Sequence, residues 1–462
     1  MRSSAAMASP RYRSIGPRQL RSLPQLQRLG AGQRLTLEAL AAVLPFKVNS
    51  YVTDELIDWD RVPDDPIYQL TFPQPGMLAP DELARIRRLV AQGADPDRLR
   101  SEARRIQLRM NPHPAGQMEL NVPTVDGVRL RGSQHKYRET LLFFPSQGQT
   151  CHAYCTYCFR WAQFVGLEGL KFASNEVDTL SRYLRDHREI TDVLFTGGDP
   201  MVMSARILGR YLEALLEPEL EHVRNIRIGT KVLAYWPYRF LTDPDADELL
   251  RLFERVVAAG RHLALMAHFS HPRELETEAV RAAVRRVLAT GAVIRCQAPL
   301  IRHVNDDART WATMWRRQVA LGMVPYYMFV ERDTGPKRYF EVPLDRAYRI
   351  FSEAYATVSG LARTVRGPSM SATPGKVLVD GIAEVSGEKV FVLKMLQGRD
   401  PSWVNRIFFA RWDPDAAWLD ELEPALGERE FFFQPYLRRM RQGTWRPSWA
   451  VEAETEEEAL VG

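Results

Sequence analysis

Three of the four cysteines fall within eight residues, in the run Cys151-His-Ala-Tyr-Cys155-Thr-Tyr-Cys158. Three thiolates on so tight a loop can each hold one iron of a [4Fe–4S] cluster, whose usual complement is four cysteines. The missing fourth ligand leaves one iron open to a small molecule. A structural zinc site asks for four protein ligands, and His152 in the same loop could supply the fourth. A zinc-stabilised binding module is therefore an alternative of a different class. Neither the number nor the spacing of the cysteines suits an extracellular disulfide framework, which points to a reducing, cytoplasmic setting. Amines are also scarce. Eight of the 62 basic residues are lysine: Lys47, Lys136, Lys171, Lys231, Lys337, Lys376, Lys389 and Lys394. Chemistry that needs a nucleophilic amine must draw on that short list.

Such groups act only where a fold brings them together. From about Leu141 onward there are six short apolar strand candidates: Leu141–Pro145, Thr191–Thr196, Ile226–Tyr235, His262–Ser270, Ala292–Ile301 and Val324–Glu331. Between them lie stretches whose apolar residues recur at the helical period, such as Val177–Glu189, Asp245–Ala259, Glu274–Thr290 and Asp306–Leu321. Six strand-then-helix units in series predict an α/β fold, a partial (β/α)6 barrel. Chemistry in such folds collects in the loops after the strand C-termini. The cysteine run and Thr196-Gly197-Gly198-Asp199-Pro200 both fall there, and paired glycines let backbone approach a ligand closely. By these signals the chain divides into a basic, disordered tail (1–36), an N-terminal helical extension (37–135), the barrel core (136–360), a C-terminal extension carrying Lys376 (361–450) and an acidic tail (451–462).

The net charge of +5 is local: Met1–Thr36 holds seven arginines and no acidic residue, whereas Glu452–Glu458 is mostly glutamate. The first stretch reads as a solvated tail, although an organellar transit peptide shares its composition. No basic face is evident in the body, which argues against a nucleic-acid partner. No apolar run approaches the roughly 18 residues of a membrane span.

The order and spacing of several motifs resemble the lysine 2,3-aminomutase family of the radical S-adenosylmethionine (SAM) superfamily. They are Asp54-Glu-Leu-Ile-Asp-Trp59, Thr71-Phe-Pro-Gln74, the cysteine run continuing into Phe159-Arg160, Thr196-Gly-Gly-Asp-Pro200, Arg227-Ile-Gly229, His268-Phe-Ser-His-Pro272, Val304-Asn-Asp306 and Pro325-Tyr-Tyr327. The resemblance runs from about Val43 to Val379. It implies a [4Fe–4S] cluster on Cys151, Cys155 and Cys158, with SAM on the open iron. It also implies a 5′-deoxyadenosyl radical that abstracts hydrogen from an unactivated carbon, chemistry that belongs to the cofactor while the protein positions it. Pyridoxal 5′-phosphate (PLP) is implied too, held by Lys376 in Thr373-Pro-Gly-Lys376, for migration of an amino group from C2 to C3 of an α-amino acid. On this resemblance Gly197, Gly198 and Asp199 serve SAM. His268 and Gln297 stand near SAM and the other cofactor, and Lys136 and Tyr157 stand beside PLP. Arg160 grips the substrate carboxylate, which its planar fork suits. An amino acid substrate, an electron donor such as flavodoxin or ferredoxin, and a homo-oligomer complete the implied picture.

The chain departs from the family where lysine-specific members hold the distant ammonium with two aspartates. Counting from Pro325-Tyr-Tyr327 places Arg332, beside Asp333, at the first position, and counting back from Pro374-Gly375 places Ala372 at the second. A cation facing a cation repels, and an unpaired buried ammonium is costly. The expected substrate is therefore not lysine but a molecule with an anionic or neutral polar end. The PLP surroundings differ as well. The family's glycine run is reduced to Gly375, its histidine in the cysteine motif is Tyr157, and its two upstream arginines are Lys136 and Thr140. These losses leave open a radical SAM enzyme without PLP-dependent amino migration, catalysing dehydration, dehydrogenation or another rearrangement.

Overall fold

The computed structural model describes residues 10–112, 114–125, 127–166, 173–174 and 176–450. Its centre is an 11-stranded sheet in which each strand lies beside the next in sequence. In chain order these are β1 (Ser133–Tyr137), β2 (Thr140–Phe143), β3 (Asp192–Phe195), β4 (Asn225–Thr230), β5 (His262–His268), β6 (Val293–Leu300), β7 (Val324–Val330), β8 (Arg366–Ser371), β9 (Gly375–Val385), β10 (Glu388–Gly398) and β11 (Ile407–Arg411). Strands β2 to β8 are parallel. The β1–β2, β8–β9, β9–β10 and β10–β11 pairs are antiparallel. Side chains from β1 through β10 line one cavity, so the sheet curls into an open barrel whose edges, β1 and β11, do not pair. Alternation along a strand puts residues two apart on the same face, and pairs such as Arg227 and Gly229, Met266 and His268, and Tyr327 and Phe329 face inward.

A helix of 10 to 13 residues follows each of β2 to β7: α1 (Val177–Asp186), α2 (Ala205–Ala214), α3 (Ala246–Ala258), α4 (Glu278–Ala289), α5 (Ala308–Ala320) and α6 (Leu344–Ala356). Each buries an apolar stripe at helical spacing, as Val280, Ala283, Val284 and Val287 do on α4. Ser204, Thr277 and Asp307 cap α2, α4 and α5 through side-chain oxygens that accept a first-turn N–H, each worth about 1 kcal/mol. Among the described residues no helix is long and apolar enough to cross a membrane.

The six strand candidates correspond to β2–β7, and the structure adds a seventh parallel strand. Its sequence, Arg-Gly-Pro-Ser-Met-Ser, has no β-branched residue; pairing with Tyr327 and Phe329 imposes the extended form. The candidate Ile226–Tyr235 is too long. Strand β4 stops at Thr230 and Val232–Tyr235 is helical, because the Asp199 carboxylate accepts from Thr230 Oγ1 and Lys231 N and turns the chain.

The reading of residues 1–36 as a tail is corrected from residue 10 onward. Ser14–Ile15 pairs with Val48–Asn49, and two 3₁₀ helices, Pro17–Ser22 and Pro24–Arg28, bury Leu20, Leu23 and Leu26. That spacing of three is the 3₁₀ period, a signal the arginine count conceals. Residues 1–9 and the acidic stretch 451–462 lie outside the described residues. One hydrophobic core joins this N-terminal region to the barrel. A second, with Trp403, Phe408, Trp418, Phe431 and Phe433, packs on β8–β11.

Candidate active site

The cysteine run leaves β2 as a loop without regular structure, and the N-terminal region supplies its partners. Tyr154 N donates to Lys47 O at 2.7 Å and Thr156 N to Leu70 O at 2.9 Å. Tyr12 Oη and Asn49 Nδ2 both donate to His152 O at 3.1 Å, and Lys47 Nζ to Cys151 O at 2.7 Å. On the other side Gly197 and Gly198 let the end of β3 meet the loop. A Cβ on Gly198 would lie 2.5 Å from Thr150 O, and Gly197 has a φ of +139°. Asp199 N then reaches Thr150 O at 2.7 Å.

Burial pushes all three thiols up, Cys158 to about 12, and neighbouring thiols push each of Cys151 and Cys158 further. Three thiolates in such a place need a cationic partner. No three of Cys151, Cys155, Cys158 and His152 bring their ligand atoms within 4.8 Å of one another; among the described residues only His135, His187 and Glu189 do. One zinc ion with bonds of about 2.3 Å would draw its ligands to about 3.8 Å apart. A cluster that gives each thiolate its own iron needs no such convergence. The loop fits the cluster, and the zinc alternative loses its geometry.

Every candidate site residue lines one cavity of about 340 Å³: Cys151, Cys155, Cys158, Tyr157, Arg160, Gly197, Gly198, Asp199, His268, Gln297, Lys136, Arg332 and Lys376. Their states differ. The Asp199 carboxylate, raised to about 6 by burial, is committed to Thr230, Lys231 and Met201, so it ties strand ends together. Gln297 and His268 face each other across β5 and β6. Gln297 Nε2 donates to His268 Nε2 at 2.8 Å, and burial pulls that imidazole down to about 3, keeping it neutral. Tyr157 Oη bonds Ser270 Oγ at 3.1 Å.

Lys376 is the second residue of β9, opposite Ser371 on β8 and Gln397 on β10. Gly375 permits that approach, since a Cβ there would sit 2.0 Å from Gln397 O. The Lys376 amine lies 4.1 Å from the Tyr327 ring centroid. Burial first, then Arg227 and Arg366, lower it to about 7, so near neutrality much of it is the free base. An unprotonated buried amine suits the carbonyl of PLP. Lys136 on β1 donates to Ala372 O, and burial and the charges of Arg399, Arg332 and Lys376 hold it well below the usual lysine range.

Arg160 and Arg332 flank Phe159, with guanidinium carbons 5.2 and 5.1 Å from its ring centroid. The Nε of each is buried with no hydrogen-bond partner. Burial lowers Arg160 to about 9, and Arg332 pulls it the same way. Asp333 is not a lining residue; Asn111 Nδ2 donates to its carbonyl at 2.5 Å and to its carboxylate at 3.3 Å. Arg332 therefore faces the cavity and Asp333 does not.

Three charged lining residues carried no role in the sequence reading. Glu331 is held well above the usual carboxylate range by burial. Lys231 pairs with Glu274 at 2.6 Å. Arg227 pairs with Asp192 at 2.7 Å; the motif Arg227-Ile-Gly229 had marked its position without giving it a role.

No family model matches the chain. It is 31% identical over 403 residues, 86% of this chain and 92% of the other, to a protein of Aquifex aeolicus (strain VF5) named "Putative L-lysine 2,3-aminomutase". It is 28% identical over 246 residues to L-lysine 2,3-aminomutase of Escherichia coli (strain K12), 51% of this chain and 66% of that one. It is 26% identical over 214 residues to glutamate 2,3-aminomutase of Clostridioides difficile (strain 630), 46% and 47% of the two chains. Among solved structures, a radical SAM methyltransferase from Sphaerobacter thermophilus aligns with a TM-score of 0.36 at 18% identity, covering 63% of this chain and 94% of the other.

Proposed function

The chain belongs to the lysine 2,3-aminomutase family of radical SAM enzymes, and from that premise we propose that it moves an amino group from C2 to C3 of an α-amino acid whose far end is anionic. When bound, the cluster and SAM supply a carbon-centred radical, and PLP supplies a carbonyl for the substrate amine. The observation that carries the reading is that Lys376, a buried amine with a pKa of about 7, shares one cavity with the three cysteines.

The protein's own part is positioning. Lys376 offers the amine, and the Tyr327 ring beneath it limits where a planar ring can lie. Arg160 and Arg332 each present a buried Nε without a partner, and a guanidinium held so is best matched by a carboxylate. An α-carboxylate on one and a side-chain carboxylate on the other pairs both. A lysine substrate would instead bring an ammonium beside Arg160 and Arg332, where like charges repel. In this reading the electron comes from a small reduced protein such as flavodoxin or ferredoxin, and the enzyme works in the cytoplasm as a homo-oligomer.

The test is anaerobic reconstitution with iron, sulfide and PLP, borohydride reduction and peptide mass spectrometry. A pyridoxyl adduct on Lys376 is expected. A full cluster with no adduct on any lysine would contradict the reading and favour radical chemistry without amino migration.

A further inference from the structure

Beneath Cys155 lies a group of polar residues that the proposed reaction does not use. Tyr235 ends the short helix after β4, and its hydroxyl is 3.4 Å from Cys155 Sγ. Its backbone carbonyl accepts from Asn49 Nδ2 at 2.9 Å, so the strand that ties down the cysteine loop also fixes this ring. The Lys231 ammonium lies 4.7 Å from the ring centroid. It pairs with Glu274 Oε1 at 2.6 Å and reaches Ser270 Oγ at 3.3 Å. Glu274 Oε2 accepts from Ser270 N at 2.5 Å and His271 N at 3.0 Å. The carboxylate is thereby anchored, and Lys231 is held on the side of Tyr235 and Cys155.

Once Cys155 binds iron its sulfur carries no proton, so in that contact the tyrosine is the donor. A hydrogen bond to a cluster thiolate stabilises negative charge on sulfur, and the reduced cluster carries one negative charge more than the oxidised one. Hydrogen bonds to the sulfurs are among the terms that set such potentials. We propose that Tyr235 tunes the cluster's reduction potential, making reduction easier by donating to Cys155, with Lys231 acting behind it in the same direction. Tyr235 is thus a positioning residue for electron entry, and the inference rests on the family's cluster being bound at the three cysteines.

The experiment is a potentiometric titration followed by electron paramagnetic resonance, on the full chain reconstituted with iron and sulfide. Tyr235→Phe keeps the ring and removes the donor. Iron per chain should match the wild type while the midpoint moves to a more negative value. Tyr51→Phe removes the hydroxyl that bonds Thr277 at 2.7 Å and should leave the midpoint in place. A full cluster in Tyr235→Phe with an unchanged or more positive midpoint overturns the proposal. If that variant fails to assemble a cluster, fluorotyrosine at position 235 decides, because it keeps the shape and donates more strongly: a positive shift supports tuning, and no shift overturns it. A wild-type chain that binds no iron would overturn the cofactor reading itself, a result distinct from either.

Discussion

At the cysteine loop the backbone is tied to Lys47, Leu70 and Asn49 and the polar groups behind Cys155 contact one another, while His152 Nδ1 is buried without a hydrogen-bond partner. Across the same cavity the wall formed by Lys136, Arg160, Arg332 and Lys376 is basic, and its two guanidinium groups each have a buried Nε without a hydrogen-bond partner. A loop tethered through its backbone holds three thiols, and a group bound to them, in one geometry. An unsatisfied wall gains its partners only when an anion arrives, and a buried charge left unpaired is costly. Under the proposed function the loop would hold the permanent cofactor and the wall would meet what is taken up, including substrate.

If the two regions are independent in that way, breaking one should spare the other. Replacing Cys155 by alanine removes an iron ligand, and activity should fall by at least about 10³-fold with loss of iron; iron analysis and visible absorbance check it. Lys376→Ala should cost a comparable factor through loss of the amine, about 10³-fold. It should retain full iron and give no pyridoxyl adduct by mass spectrometry. Loss of both groups in either variant would mean that loop and wall do not assemble separately.

The wall can be probed more finely. Arg332→Ala should lower kcat/KM for a dicarboxylic amino acid by roughly 10²-fold, the scale of losing one partner of a buried charge pair, with less effect on a neutral substrate. Steady-state kinetics on both substrates would show it. The pH dependence follows from Lys376. Its folded-state pKa is depressed to about 7, so the free amine is scarce below that value and predominant above it. Capture of PLP, followed by absorbance, should accelerate as pH rises through about 7 and level off well before the pH at which an ordinary lysine would titrate. The smallest effect belongs to the N-terminal strap. Leu23→Ala should destabilise the fold by about 3 kcal/mol, measurable by denaturant unfolding, and it should loosen the cysteine loop more than the wall.

The two regions also differed in how far they could be read from sequence. The three cysteines are close in the chain, and six parallel strands show as apolar runs between helical periods, because both signals are local. The wall is assembled from β1, the turn after the cysteines, the loop after β7 and β9, so no window along the chain contains it; only family spacing linked Arg160, Arg332 and Lys376. Strand β8 escaped because its sequence has no strand preference and its neighbours impose the form. The 3₁₀ helices at residues 17–28 escaped because their period of three was masked by arginine content. Glu331 and Lys231 had no distinguishing spacing. Their interest arises from burial, which tertiary structure alone decides.

Product analysis of the reconstituted enzyme would decide whether an acidic amino acid is the substrate. The enzyme would be supplied with SAM and a reductant and offered lysine and an acidic amino acid such as glutamate in competition. The expected result is the β-isomer of the acidic amino acid, with lysine left largely unchanged. Faster formation of β-lysine, or 5′-deoxyadenosine without any β-amino acid, would contradict it.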